Sequence, residues 1–271
     1  AFWRKNGRGC PASGACPRGS GVDINRNYPY GWGSCNGSSS RPTADDYRGP
    51  SAGSEPETQA MMALVDRIRP VFDISYHSYS ELVLYPYGCA GQHAPHRAVI
   101  EDIGRKMAAS LPTDDGGRTY KAGTPWELLY SADGGDMDWM YGRFTVLPFA
   151  IELNGSRQGF RPAFGAWRER TVTKARAAWQ LLLDRLDGSG VRGVVRDIDG
   201  GALAGVRVEI TAASGSAGSE LRAPNPDGSF HVVLSPGSYR LSVSAEGHAP
   251  YTRTLEVGAG RVDVDVALRS R

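Results

Sequence analysis

The hydrophobic pattern of the chain changes once, between Asp187 and Gly190. Before this point, helical and strand-like patterns alternate and are joined by loops rich in Gly and Ser. After it, apolar and polar residues alternate in short runs, which is typical of half-buried strands. The change predicts two domains: an α/β domain over residues 1–187 and a small antiparallel β-sandwich over residues 190–271.

Turn residues separate the alternating runs of the second domain. Asp199-Gly200-Gly201, Asp227-Gly228 and Pro236-Gly237 are typical of tight connections between strands. We expect about six or seven short strands, which suits a small sandwich. The alternating runs are Val206/Val208/Ile210, Tyr239/Leu241/Val243 and Val262/Val264/Val266/Leu268.

Helices of the first domain are predicted by apolar residues at helical spacing. Ser54 and Glu57 form a capping-box pattern before the first of them, which is expected to lay its apolar stripe against a sheet. The three stripes are Met61/Leu64/Val65/Ile68, Ile100/Ile103/Met107/Leu111 and Val172/Ala175/Trp179/Leu182/Leu186.

Two segments of the first domain read as interior strands. Residues 71–76 are rich in β-branched and aromatic residues, and His77 follows them directly. Residues 144–153 form the second strand and carry Glu152 near its end. Because active sites of open α/β sheets lie at the carboxyl ends of strands, these two side chains are candidate site residues.

Charge and hydropathy disfavour several partner classes. The chain has 31 basic and 29 acidic residues, a net charge of +2, and no basic stripe, so nucleic acid and anionic membranes are not expected partners. No apolar run reaches the roughly 18 residues that a membrane span needs. The first residues carry neither an initiator Met nor a signal-peptide pattern, so we expect a truncated start.

All four cysteines, Cys10, Cys16, Cys35 and Cys89, lie in loop-like surroundings in the first third of the chain. Such cysteines are typical of surface disulfides in exported proteins, and we therefore expect a secreted, extracellular protein. Their pairing stays open at this stage. A zinc cluster is disfavoured because no Cys-x-x-Cys pair is present.

Several motifs together resemble the zinc metallocarboxypeptidase family of the A/B type. They are WRKN at residues 3–6, GVDINRNY at 21–28, HSYSELVLYPYG at 77–88, AIELNG at 150–155 and a tyrosine-bearing stretch at 130–139. The resemblance covers nearly all of the first domain. It implies an incomplete mixed-sheet carboxypeptidase domain with flanking helices, and the second domain resembles the transthyretin-like or carboxypeptidase regulatory-like domain of some relatives.

The resemblance implies a substrate site for peptide or protein C-termini. Asn25 and Arg26 match the pair that holds the terminal carboxylate, in keeping with the planar fork of donors that a guanidinium offers. Tyr130 matches the mobile tyrosine that covers the bound substrate. Ser78 and Tyr79 match residues that shape the substrate channel.

The resemblance also implies the catalytic groups. His77 matches one zinc ligand, Glu152 matches the carboxylate that moves the proton, and Arg4 matches the cation that stabilises the oxyanion. Met137 corresponds to the position deep in the side-chain pocket and favours apolar C-terminal residues. Its neighbour Asp136 leaves open a mixed preference for apolar and basic residues.

The sequence departs from the family in its metal ligands. The first two zinc ligands of the family come from a His-x-x-Glu motif upstream of WRKN, and none of the five histidines here is followed by Glu three positions later. A catalytic zinc normally has three protein ligands. We therefore expect a fragment that lacks the N-terminal part of its catalytic domain and is inactive alone.

Two other functions fit parts of the pattern. A carboxypeptidase that acts on cell-wall peptides would share His77 and Glu152 but take D-configured or diaminopimelate-containing substrates. A non-catalytic remnant would keep carboxylate binding by Asn25 and Arg26, with the sandwich serving in adhesion. The leading hypothesis is a zinc-dependent exopeptidase that releases single C-terminal residues.

Overall fold

The computed structural model describes residues 4–95, 97–213, 220–222 and 224–271. The helices of the first part are α1 (Pro56–Ile68), α2 (Arg97–Ser110), α3 (Pro125–Leu128), α4 (Asp136–Phe144) and α5 (Phe164–Leu186), and a 3₁₀ turn spans Ile24–Arg26. Its strands are β1 (Phe72–Ser78), β2 (Leu82–Leu84), β3 (Lys121–Gly123) and β4 (Leu147–Leu153).

These four strands form a mixed sheet in the order β1-β4-β2-β3. Strands β1 and β4 are parallel, with His77 opposite Glu152, whereas β2 runs antiparallel to β4 and parallel to β3. β1 is an edge strand, because no other described strand pairs with its second side. The expected mixed sheet is confirmed, and its parallel pair β1-β4 brings the two candidate side chains together.

Side chains alternate between the two faces of the sheet along each strand, and different helices pack on each face. Val83, Phe149 and Ile151 pack in the main core with residues of α2 and α5. Leu82, Leu84 and Ala150 face the other way and contact Met137 of α4. Since successive strand residues point to opposite faces, Glu152 lies on the same face as Ala150, beside α4.

The second part contains the strands β5 (Gly190–Asp197), β6 (Arg207–Ala212), β7 (Glu220–Arg222), β8 (Ser229–Val233), β9 (Gly237–Ser244), β10 (Tyr251–Val257) and β11 (Arg261–Leu268). They form two sheets, ordered β10-β9-β6-β7 and β11-β5-β8, around an apolar core rich in Val and Leu. The sandwich is confirmed. Its pairs are antiparallel except β5 with β11, which run parallel.

The two parts contact each other directly. Val233 at the end of β8 is buried in the core of the first part, among residues of α2 and α5. Arg185 near the end of α5 donates hydrogen bonds to the carbonyls of Ser189 and Leu234, both at 2.7 Å. Arg69, just after α1, donates to the Pro224 carbonyl.

The prediction for α1 was wrong in two respects. Its N-cap is Glu55 without a side-chain cap, because the Ser54 hydroxyl donates to the Glu55 carboxylate instead of capping the helix. Its apolar stripe does not lie against the sheet: Met61, Leu64 and Ile68 are 41%, 38% and 48% exposed, and of the stripe only Val65 is buried. The described residues therefore cover these three side chains only in part.

The other two predicted helices are confirmed, with different degrees of burial. Ile100, Ile103 and Met107 of α2 are fully buried. On α5, Ala175 and Leu182 are buried but Val172 and Trp179 are exposed. No helix in the described ranges is long and apolar enough to cross a membrane. The cysteines pair as Cys10–Cys16 and Cys35–Cys89.

Candidate carboxylate-binding and catalytic site

A cavity of about 310 Å³ lies at the carboxyl ends of β1 and β4, where sheet and loops meet. It brings together all nine side chains that the sequence analysis singled out, although their roles stay predictions. They are Arg4, Asn25, Arg26, His77, Ser78, Tyr79, Tyr130, Met137 and Glu152.

The strand register places His77 beside Glu152 on adjacent parallel strands. The His77 Nε2 atom lies 2.8 Å from the Ser75 hydroxyl, two residues earlier on the same face of β1. With Nε2 engaged, the other ring nitrogen, Nδ1, is the one available to a ligand. Burial raises the pKa of Glu152, and the nearby His77 and Arg4 oppose part of that effect. A carboxyl group with a raised pKa is suited to accepting a proton near neutral pH.

Arg26 is buried at the end of the 3₁₀ turn, and backbone carbonyls hold its guanidinium. Its Nε donates to Gly37 O at 3.1 Å and its Nη1 donates to Asn25 O at 2.7 Å. In the described part of the chain, no acceptor is paired with Nη2. The side chain is therefore oriented by the protein and retains donors for a carboxylate.

Asn25 is oriented in the same way. Its Oδ1 accepts a hydrogen bond from the Asp136 amide at 3.0 Å. This contact occupies the acceptor end of the side chain and leaves the Nδ2 donors for a ligand. Asn25 and Arg26 thus present donors to one cavity, as a carboxylate site requires.

Asp23 connects this turn to Arg4, and the sequence analysis missed it. Its buried carboxylate accepts from the Asn25 amide at 3.1 Å, as the N-cap of the 3₁₀ turn, and from Arg4 Nε at 2.5 Å. Burial lowers the pKa of Arg4, but Asp23, with smaller contributions from Tyr130 and Glu152, outweighs it and the net shift is upward. An Asp two positions before Asn25 is a recognisable capping signal.

Aromatic side chains form the mouth of the cavity. Tyr130 lies in the loop between α3 and α4 and is 57% exposed. Tyr79 packs edge-on against Phe160, with ring centroids 4.8 Å apart. The Ser78 hydroxyl donates to the Phe160 carbonyl at 3.4 Å. The sequence analysis missed Phe160, because a lone loop phenylalanine carries no distinguishing signal.

The inner wall of the cavity combines apolar and acidic residues. Met137 is buried against Leu84 and Ala150. Beside it, burial raises the pKa of Asp138 to about 7, with a further upward contribution from Asp136. Both Asp138 oxygens accept from the Gly88 amide, at 3.1 and 2.9 Å. The wall thus offers a thioether and a carboxyl group that is partly protonated near neutral pH.

These side chains do not complete a metal centre. Among the described residues, no group of three His, Cys, Asp or Glu side chains is arranged to hold a metal ion. Within the described residues the His77 Nδ1 atom has no hydrogen-bond partner, so it is available as one ligand of a zinc ion.

Comparison with known families gives two matches. Residues 1–175 match the family described as zinc carboxypeptidase, and residues 190–269 match the carboxypeptidase regulatory-like domain. A zinc carboxypeptidase A 1 from Anopheles gambiae is 32% identical over 182 residues, covering 64% of this chain and 40% of the relative. Carboxypeptidase A1 of Bos taurus is 36% identical over 161 residues, covering 59% and 37%. The chain spans about two fifths of the length of these curated relatives.

Solved structures show the same fold. Bovine thrombin-activatable fibrinolysis inhibitor, in complex with a tick carboxypeptidase inhibitor, aligns with a TM-score of 0.54 and 28% identity, over 67% of this chain and 62% of that one. Carboxypeptidase A from Helicoverpa armigera aligns with a TM-score of 0.54 and 25% identity, over 60% and 41%.

Proposed function

Because this chain belongs to the zinc carboxypeptidase family, we propose that the gene product containing it is a zinc-dependent exopeptidase. It releases single residues from the C-termini of peptides or proteins. The observation that supports this proposal is the convergence of carboxylate-binding donors, an imidazole and a buried carboxyl group on one cavity.

In this proposal, the residues that line or support the cavity have distinct roles in binding and catalysis. Arg26 and Asn25 hold the terminal carboxylate, which sets the scissile carbonyl at a fixed distance from the sheet. Glu152 takes a proton from the attacking water and passes it to the leaving amine. Arg4, fixed by Asp23, stabilises the oxyanion, and Tyr130 closes over the substrate and reduces its contact with water.

We assign no catalytic step to the metal, since the described residues do not complete its site. In our proposal His77 supplies one ligand through Nδ1, and two ligands come from a part of the gene product outside this chain. Bound zinc supplies Lewis-acid polarisation.

Exposed apolar side chains support the proposal that a further segment of the gene product packs against this part of the chain. The second side of β1 has no paired strand in the described ranges, and two helices of the same part carry exposed apolar side chains. These side chains are Met61, Leu64 and Ile68 on α1, and Val172, Trp179 and Leu183 on α5. We propose that the N-terminal part of the catalytic domain adds to this edge and covers both helices.

The remaining assignments are also proposals. Residues 1–187 form the catalytic-domain part and residues 190–271 the regulatory-like sandwich. The two disulfides favour an exported, extracellular protein. Met137 favours apolar C-terminal residues, while Asp136 at the same cavity keeps a mixed apolar and basic preference as the alternative.

A second candidate, a carboxylate-binding protein without turnover, is favoured by one observation. The donors of Arg26 and Asn25 are held in place by the chain itself, without a metal. This chain alone is therefore expected to bind carboxylates without a bound metal.

The test uses the full-length gene product and N-acylated dipeptides ending in Phe, Lys or D-Ala. We expect release of Phe that stops with a zinc chelator, and about a 10²–10⁴-fold loss in kcat for Glu152→Gln. Glu169→Gln, at an exposed position on α5, is the matched control. Selective release of D-Ala would indicate a cell-wall peptidase, and carboxylate binding without release would indicate the binding protein.

A further inference from the structure

We propose that Asp133 is a positioning residue for Arg26, and that it acts through the loop formed by residues 33–38. The inference rests on the proposed carboxylate-binding role of Arg26. It adds a residue outside the carboxylate-binding pair, on the segment that also carries Tyr130.

Asp133 holds this loop through four hydrogen bonds. Its side chain is buried, with the residue 1% exposed. Three backbone amides donate to it: Gly33 at 3.3 Å, Cys35 at 3.1 Å and Gly37 at 3.0 Å. The Ser38 hydroxyl is the fourth donor. A carboxylate that accepts several amide hydrogen bonds fixes the backbone that supplies them.

Gly37 connects Asp133 to Arg26. Its amide donates to Asp133 Oδ2, and its carbonyl accepts from Arg26 Nε at 3.1 Å. The two contacts use opposite sides of one residue, so a change in the Asp133 contact displaces the acceptor of the guanidinium. The orientation of Arg26 toward the cavity therefore depends on a carboxylate that does not touch it.

The backbone around Asp133 packs closely against the backbone of Gly37 and Arg26. A Cβ atom on Gly37 would lie 2.6 Å from the Asp133 nitrogen, and one on Gly134 would lie 2.4 Å from the Arg26 carbonyl oxygen. Gly134 also has a φ of +67°, which favours glycine. The segment that follows Tyr130 thus lies directly against both Gly37 and Arg26.

Asp133 also links the loop that carries Tyr130 to the Cys35–Cys89 disulfide. The Cys35 amide donates to Asp133, and the Ala132 amide donates to Gly88 O at 3.0 Å. The alternative is that Asp133 only stabilises this disulfide region. In that case, replacing Asp133 would leave the Arg26 guanidinium unaffected. The two roles differ in one measurable quantity, which is the protection of the Arg26 Nε–H from exchange with solvent.

The experiment compares Asp133→Asn with Asp45→Asn in the 271-residue chain. Asp45 is an exposed carboxylate that lines a cavity shared with Arg26 and Tyr130, so both variants change the net charge equally near the site. Solvent exchange of the Arg26 Nε–H is measured by NMR without ligand, with the signal assigned from Arg26→Lys. N-acetyl-L-phenylalanine is then titrated in as the carboxylate probe.

We expect Asp133→Asn to speed this exchange and to weaken probe binding about tenfold, the scale of losing a hydrogen bond to a charged group. Asp45→Asn should change neither by more than about twofold, the scale of exposed charge interactions. Unchanged exchange in Asp133→Asn overturns the inference. If Asp133→Asn does not fold, Ser38→Ala is measured instead, because it removes one of the four donors to Asp133. Ser38→Ala should give a smaller change in the same direction. Unchanged exchange in Ser38→Ala would also overturn the inference.

Neither measurement requires peptide hydrolysis, so failure of the proposed exopeptidase activity leaves this test valid. In an active full-length product, Asp133→Asn should raise KM and leave kcat unchanged, because it weakens the binding of substrate and transition state alike. A fall in kcat with unchanged KM would contradict the positioning role.

Discussion

At the residue scale, the guanidinium geometry of Arg26 is the feature that this site depends on most. Backbone carbonyls accept from its Nε and Nη1, which leaves Nη2 for a ligand. A lysine at the same position carries the charge but has no planar fork, so it cannot keep both backbone contacts while binding a carboxylate.

We therefore expect Arg26→Lys to weaken binding of N-acetyl-L-phenylalanine at least about tenfold, measured by calorimetry on the 271-residue chain. Arg41→Lys is the control, because Arg41 is exposed and lies outside the cavity. Equal affinities of Arg26→Lys and the parent would contradict the carboxylate-binding role.

The raised pKa of Asp138 leads to a prediction about how the free energy of unfolding depends on pH. Burial raises its pKa from 3.8 to about 7, so the native state binds a proton that the unfolded state has released over that range. Its contribution to the free energy of unfolding is complete below the unfolded pKa of 3.8 and is lost as the pH rises through about 7. Asp138→Asn should therefore flatten the decline in stability between pH 4 and 7.

The measurement is urea unfolding at unit steps from pH 4 to pH 8. Asp102→Asn is the control, because Asp102 is about half exposed and pairs with Lys106 on the surface of α2. Asp73, whose pKa burial raises to about 6, remains in both variants and retains part of the slope. A curve for Asp138→Asn parallel to that of the parent would show that Asp138 does not titrate as described.

At the scale of elements, the two disulfides constrain the chain very differently. Cys35–Cys89 joins residues 54 apart and fixes the loop that Asp133 holds, whereas Cys10–Cys16 joins residues 6 apart. A crosslink stabilises more when it closes a longer loop, because it restricts the unfolded chain more strongly.

We expect the double variant Cys35→Ser/Cys89→Ser to cost about 4 kcal/mol of unfolding free energy, and Cys10→Ser/Cys16→Ser about 2 kcal/mol. Denaturant unfolding of both variants under identical conditions measures the difference. The order of the two losses is the decisive result, and a larger loss for the short loop would contradict this account.

At the scale of the whole molecule, one strand of the sandwich stabilises both cores. Val233 is buried in the core of the first part, and its neighbour Val232 is buried in the core of the sandwich. Successive residues of β8 point to opposite sides, which allows the strand to contribute to both. The two valines therefore form a matched pair for testing the contact between the parts.

We expect Val233→Ala to lower the stability of the first part by about 2 kcal/mol, from two lost methyl groups and the resulting cavity. Tryptophan fluorescence measures it, because all tryptophans lie before residue 187. Val232→Ala should act mainly on the sandwich, monitored by hydrogen exchange of the backbone amides in residues 224–271. Identical shifts of both signals in both variants would indicate that the two parts unfold as one unit.

The sequence by itself determined the fold class and most of the candidate site residues. Period-two alternation after Gly190 predicted the sandwich, because a strand buried on one face must alternate. The motifs around Arg26, His77 and Glu152 pointed to these side chains through their resemblance to the zinc carboxypeptidase family, and their roles stay predictions.

Only the tertiary structure decided how distant segments support one another. Asp133 and Gly37 are far apart in sequence, and their contact depends on how two loops pack. The apolar stripe of α1 reads as a buried face, yet it is exposed because burial depends on what packs against a helix as well as on its own pattern. The pairing of the cysteines was likewise open in sequence, since their spacing allowed every combination and only the loop geometry selects one.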